Sequence, residues 1–259
     1  MNYRLLTTCL ALVLAMVTRA QNMTDVTSTY LRNASFEGDN IASLQAENNS
    51  ADGLRGYKVN APKDWTVNNG ANAVSLIVTK DCYTDNNFGK VTTLADGSQA
   101  YYLRMGWSTG TTTVRQTIAS LPKGKYRLAA SIRTAYTQSA TSAIAVTAGV
   151  WSTNIDFAQG SDGCFSKMSW NTHTVDFEQT AEGSATIGFE VNWLSGGSCV
   201  MIDKVQLFRL SDDYEIPTDP TESDVNSPTE GVVLGDLVGR IVPVKVEEAR
   251  TWYLRGTMV

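Results

Sequence analysis

Residues Gly124-Lys125-Tyr126-Arg127-Leu128-Ala129-Ala130-Ser131-Ile132-Arg133 alternate with a period of two. Tyr126, Leu128, Ala130 and Ile132 fall on one side, and Arg127, Ala129, Ser131 and Arg133 fall on the other, as in a strand with one face on a core. Just upstream, Ser120-Leu-Pro-Lys-Gly124 sets a proline and a glycine where one strand ends and the next begins. Downstream, Ala185-Thr-Ile-Gly-Phe-Glu-Val-Asn-Trp193 alternates likewise, with Ile187, Phe189 and Val191 inward and Thr186, Glu190 and Asn192 outward. Further strands are expected at 73–79, 100–105, 112–118, 142–150 and 173–177, where short β-branched and aromatic runs lie between turn residues. No long apolar stripe of period 3.6 interrupts them, which points to an all-β sandwich or barrel. No internal repeat of solenoid period is visible.

Three motifs carry a resemblance. Asn33-Ala-Ser-Phe-Glu37 lies near the start, Met201-Ile-Asp-Lys-Val-Gln-Leu-Phe208 lies far downstream, and Gln116-Thr-Ile-Ala-Ser-Leu-Pro-Lys-Gly-Lys-Tyr126 lies between them. Together they resemble the galactose-binding-like jelly rolls that include many carbohydrate-binding modules. In that superfamily the first motif is the first strand, opening the domain, the second is the last strand, closing it beside the first, and the third forms a hairpin. The resemblance covers roughly residues 28 to 210 and implies a jelly-roll β-sandwich.

A chain of 259 residues can hold one such domain with accessory segments and bury a real core. The first twenty residues read as a signal peptide: Arg4, an apolar run from Leu5 to Val17, then Thr18-Arg19-Ala20 at the expected cleavage point. That run is shorter than the ~20 apolar residues needed to span a bilayer. Removing Arg4 and Arg19 with it would leave 19 basic against 26 acidic side chains, a net charge of −7. Such a surface repels phosphates, and no basic cluster interleaved with aromatics offsets it, so nucleic acid is excluded as a partner. Cys82, Cys164 and Cys199 would remain, an odd number whose pairing the spacing leaves open. Sequons stand at Asn22, Asn33 and Asn48 and would matter only in a eukaryotic secretory pathway.

Composition then divides the chain into a sandwich over 21–210, a linker over 211–230 and a short β tail over 231–259. The linker carries three of the six prolines and seven acidic residues with almost nothing apolar, as in an extended, solvated segment. The tail, from Gly231-Val-Val-Leu-Gly-Asp-Leu-Val-Gly-Arg-Ile-Val242 to Thr251-Trp-Tyr-Leu-Arg-Gly-Thr-Met-Val259, resembles the C-terminal sorting tails of secreted proteins from gut and oral anaerobic bacteria. It departs from their pattern at Gly235, Arg250-Thr251-Trp252 and Thr257-Met258. With the signal peptide, the resemblance implies a secreted or cell-surface protein.

The chemistry expected of the sandwich is sugar binding, because pyranose C–H faces stack on aromatic rings while polar groups bond the hydroxyls. Candidate contacts are Tyr102, Trp107, Tyr136 and Trp151 as aromatics, Arg104 and Arg133 as forked donors, and Glu190 and Asn192 as acceptors. Tyr102, Arg104 and Arg133 are the preferred contacts, on the non-core faces of their strands. Trp170 is a further aromatic, expected to cap the sandwich. Trp65 and Trp193 are expected in the core, and His173, the one histidine, at an edge. By resemblance, Glu37 and Asp203 would hold a structural calcium beside the joined termini.

No nucleophile elbow and no recognised spacing of catalytic carboxylates is present, so a non-catalytic binder of poly- or oligosaccharide is the expected function. A surface protein binding a protein partner is the first alternative, and a glycoside-active enzyme the second.

Overall fold

The computed structural model describes residues 23–49, 53–85, 89–106, 108–136, 143–156, 170–194, 197–216, 244–249 and 254–258. The signal peptide, the linker from 217 to 230, Trp107 and Cys164 lie outside them, as does the side chain of Tyr136. The chain divides into two units, Met1–Thr218 and Asp219–Val259. Of the second, the described residues form one antiparallel hairpin, Val244–Ala249 with Leu254–Met258.

The first unit is an antiparallel jelly-roll β-sandwich of two sheets. Its larger sheet runs in the order β13 (Asn171–Gln179), β10 (Gly124–Tyr136), β15 (Ser198–Arg209), β8 (Ala100–Met105), β5 (Val74–Val78), β3 (Gly53–Lys58) and β2 (Gln45–Asn49). An eighth strand, β1 (Thr24–Asp25), pairs with the far end of β15. The smaller sheet runs β12 (Trp151–Asp156), β11 (Ala143–Ala148), β14 (Gly183–Trp193), β9 (Gly110–Leu121) and β4 (Thr66–Asn69). A small hairpin, β6 (Tyr83–Asp85) with β7 (Gly89–Lys90), lies in the excursion between β5 and β8.

The inward residues follow the period-two reading. Tyr126, Leu128, Ala130 and Ile132 of β10 join Ile187, Phe189, Val191 and Trp193 of β14 in one core cluster between the sheets. Trp193 is buried there with its indole N–H on Thr112 Oγ1 at 2.9 Å, so its polar atom is satisfied without solvent. Trp65 is buried too and donates to the Asn33 carbonyl at 3.0 Å. Gln116 is polar on the core side of β9, between Val114 and Ile118. Its amide staples the N-terminal segment by donating to the Arg32 and Asp64 carbonyls and accepting from the Arg32 N–H.

Two expectations are corrected. Asn33–Glu37 is a turn, because Asn33 and Phe36 both take positive φ, at 47° and 57°. The Asn33 amide holds that turn, accepting from Gly38 N and donating to Lys63 O and Asp39 Oδ2. Phe36 then enters the core against Trp65 and Tyr101, with ring centroids at 5.5 and 5.6 Å. The two ends of the domain nevertheless lie side by side, through β1 on β15 and the Val205 N–H on the Ala34 carbonyl. The Pro122-Lys123 turn is likewise an arch and not a hairpin. It carries the chain from β9 in one sheet to β10 in the other, and the Tyr126 hydroxyl closes it on the Pro122 carbonyl.

Candidate functional site

Each sheet has an outer face, and the sequence placed candidate contacts on both. The outer face of the larger sheet carries Leu76, Val78, Ala100, Tyr102, Ala135, Cys199 and Met201. The excursion between β5 and β8 lays Cys82, Val91 and Leu94 over them, with Trp170 beside, making a second apolar cluster. Tyr102 is fully buried in it and Arg133 is 4% exposed. The Arg133 guanidinium donates to Thr93 Oγ1 at 2.5 Å and lies over the Trp170 ring at 4.7 Å, while the Trp170 indole donates to the Thr93 carbonyl. Tyr102 and Arg133 therefore hold the cover in place and do not reach a ligand. Arg104 stands on the same face, half-buried and in register with Cys199 and Val74.

The carboxylates expected to hold calcium grip this cover. Asp203 is fully buried; Oδ2 accepts from the N–H groups of Ala95 and Asp96, both at 2.9 Å, and Oδ1 accepts from Lys204 N at 2.6 Å. Glu37 Oε1 accepts from Ser98 N and Gln99 N, each at 2.7 Å, and Oε2 accepts from Ser98 Oγ at 2.6 Å. A calcium shell needs six to eight oxygens facing the ion, whereas these oxygens face N–H and O–H donors. Among the described residues no group of three His, Cys, Asp or Glu side chains could hold a metal ion. All four oxygens of the two carboxylates are engaged by donors of residues 95–99 and Lys204. Burial pushes the Asp203 carboxyl up to about 7, against the opposing pull of its backbone N–H partners. The same face is closed at its other end by the bidentate pair of Arg127 with Asp176, at 2.6 and 2.8 Å. Tyr214, from the segment after β15, donates its hydroxyl to that carboxylate.

Among the described residues no segment lies over the outer face of the smaller sheet. That face holds a groove of about 380 Å³ lined by Arg115 of β9, Ala145 and Thr147 of β11, Trp151, Ser152 and Asn154 of β12, and Thr186, Glu190 and Asn192 of β14, with Gly149 and Val150 at the hairpin tip. Pairing explains the assembly, since Ser152, Thr147, Gly188 and Arg115 stand in one row across four strands and Asn154, Ala145, Glu190 and Thr113 in the next. Of the sequence candidates, the structure brings Trp151, Glu190 and Asn192 together here. Trp151 is half-buried against the core edge and closes one end of the groove. Arg115 was missed, although Thr111, Thr113, Arg115 and Thr117 are the outward parity of their strand. A larger cleft of about 960 Å³ lies at the sandwich edge beside Asp39, Glu47 and Lys58. Its described lining residues include no aromatic, and its charges are paired internally, Glu47 with Lys58 and Arg55 and Asp39 with Asn33 and the Lys63 N–H. His173 sits half-buried on edge strand β13, where burial lowers its pKa.

A TRAM domain family model matches residues 231–259. That is the stretch read from sequence as a sorting-type tail, and the match gives no sign of a sorting signal. No curated protein sequence matches the chain. Among solved structures, the chain is similar to a family 61 carbohydrate-binding module in complex with β-1,4-galactotriose, at 15% identity and a TM-score of 0.40, covering 70% of this chain and 97% of the module. It is similar to a Stig cyclase from Fischerella, at 16% identity and a TM-score of 0.44, covering 69% and 94%. It is also similar to the C-terminal family 22 carbohydrate-binding module of a Clostridium thermocellum protein, at 10% identity and a TM-score of 0.38, covering 72% and 96%. Among the described residues no helix is long and apolar enough to cross a membrane.

Proposed function

We propose that this is a secreted, non-catalytic carbohydrate-binding protein that takes a glycan chain in the groove on the open face of the smaller sheet. The supporting observation is the groove's lining: hydroxyls, amides and one ion pair on a sheet face, with a single tryptophan at one end. Such a surface matches a sugar's alternating donors and acceptors, and its planar floor suits an extended polymer. The lack of catalysis is supported by the acids present. Glycoside hydrolysis generally uses a pair of carboxyl groups, and Glu190 is the one acid among the groove's described lining residues. Export is supported by the signal-peptide pattern of residues 1–20, and display at a bacterial surface by the tail's resemblance to sorting segments.

The test is retardation of the full chain in native gels cast with plant, microbial and host polysaccharides. Binding to one glycan class that is lost in the Arg115→Ala/Trp151→Ala double variant, and kept in Lys80→Ala on the excursion between β5 and β8, is the expected result. A folded protein that no polysaccharide retards would overturn the reading and move the weight to a protein partner.

A further inference from the structure

The groove's charges bear on which glycans it accepts, a question that rests on the glycan reading above. Arg115 is the one cation and Glu190 the one anion among its described lining residues. They face each other at 3.6 Å, with side chains 49% and 38% exposed. That separation is beyond hydrogen-bond range, so the pair is held by charge alone. The guanidinium N–H groups and the carboxylate oxygens keep their bonding capacity for a third party.

Beside them one position of the sheet face, Gly188, carries no side chain. Gly188 stands between Thr147 of β11 and Arg115 of β9, in register with both. At its φ of +153°, an added Cβ would fall 2.0 Å from the Val114 carbonyl oxygen and 2.9 Å from the Arg115 Cα, so glycine alone is accommodated. Two strand spacings, roughly 10 Å, separate Thr147 from Arg115 across bare backbone. Ala145 borders the same floor in the next row.

We propose that the stretch of groove between Thr147 and Arg115 is a subsite for an uncharged sugar unit with vicinal hydroxyls, and that Glu190 makes it reject uronates. One hydroxyl of the diol donates to Glu190 and its neighbour accepts from Arg115, so both charges gain hydrogen bonds and the groove stays neutral. A uronate carboxylate drawn to the Arg115 fork would instead sit against the Glu190 carboxylate, and like charges at that range repel in a partly desolvated groove. The chain's net charge of −5 adds to the repulsion.

The test compares neutral polysaccharides (galactan, xylan, glucomannan) with uronate polymers (polygalacturonate, alginate) in native gels at moderate salt, using the full chain, Glu190→Gln and Arg115→Ala. The wild type is expected to be retarded by at least one neutral polymer and by neither uronate. Glu190→Gln should weaken the neutral interaction by roughly tenfold or more, the loss of a charge-assisted hydrogen bond, and should gain retardation by uronate. Arg115→Ala should lose both. Thermal melts of the variants check folding, and the wild-type comparison does not depend on them. Wild-type protein retarded as strongly by uronate as by neutral polymer, or Glu190→Gln gaining nothing, overturns the charge rule while the glycan reading stands. Absence of retardation by any polymer overturns both.

Discussion

The two outer faces of the sandwich each carry an arginine–acid pair and have opposite fates. The larger sheet's outer face is mostly apolar, with Leu76, Val78, Tyr102, Cys199 and Met201, and the smaller sheet's is mostly polar, with Arg115, Thr147, Thr186, Glu190 and Asn192; on each an arginine pairs with an acid of the neighbouring strand. On the larger sheet that pair is Arg127 with Asp176, bidentate, with side chains 12% and 11% exposed. On the smaller sheet it is Arg115 with Glu190, separated and half in solvent. The difference is cover. The excursion between β5 and β8 and the segment carrying Tyr214 turn one face into a second core, and no described segment lies over the other. Outward parity therefore marks a side chain as outside the first core, not as available to a ligand.

Several substitutions sharpen this contrast. The largest effect is expected from Asp176→Ala, which strands the Arg127 guanidinium in a covered site. Urea unfolding should show a loss of about 3–5 kcal/mol, the usual result of leaving one partner of a buried pair. Gly188→Ala should come next, at about 1–3 kcal/mol, because the open face still rests on a backbone contact too close for a Cβ. A smaller effect should appear as a pH dependence. The folded Asp203 carboxyl is raised above its ordinary 3.8, to about 7. Its contribution to stability is therefore complete below about 4 and is lost as pH rises through 7. Thermal melts should show the wild type declining from pH 5 to 8, with the slope flattened in Asp203→Asn. The smallest effect should come from Glu190→Gln, below about 1 kcal/mol in stability, since an exposed pair contributes little. Chelator should leave the melting temperature unchanged, because N–H donors fill the shells of Glu37 and Asp203; a chelator-induced drop of several degrees would restore calcium there.

Much of the scaffold was legible. β8 coincides with its expected span, β10 and β14 begin or end within a few residues of theirs, and Trp65 and Trp193 are in the core. These succeed because period-two alternation is written locally, residue by residue. Asn33–Glu37 was misread as a strand because its turn is made by distant partners, the Lys63 carbonyl and the core around Phe36. The arch at Pro122 was read as a hairpin because proline and glycine mark a turn without stating which sheet follows. At the site, Glu190, Asn192 and Trp151, read from sequence as candidate contacts, meet in one groove. Arg115 was passed over because it becomes a groove residue only through its register with Gly188.

The sequence by itself determined that this chain builds antiparallel strands, and which side of each strand faces the core, because side-chain parity is fixed by backbone geometry. Tertiary structure alone decided which segment covers the larger sheet's apolar outer face. That choice depends on where an excursion of about twenty residues folds back, and its apolar residues Cys82, Val91 and Leu94 say only that they seek cover, not which sheet provides it.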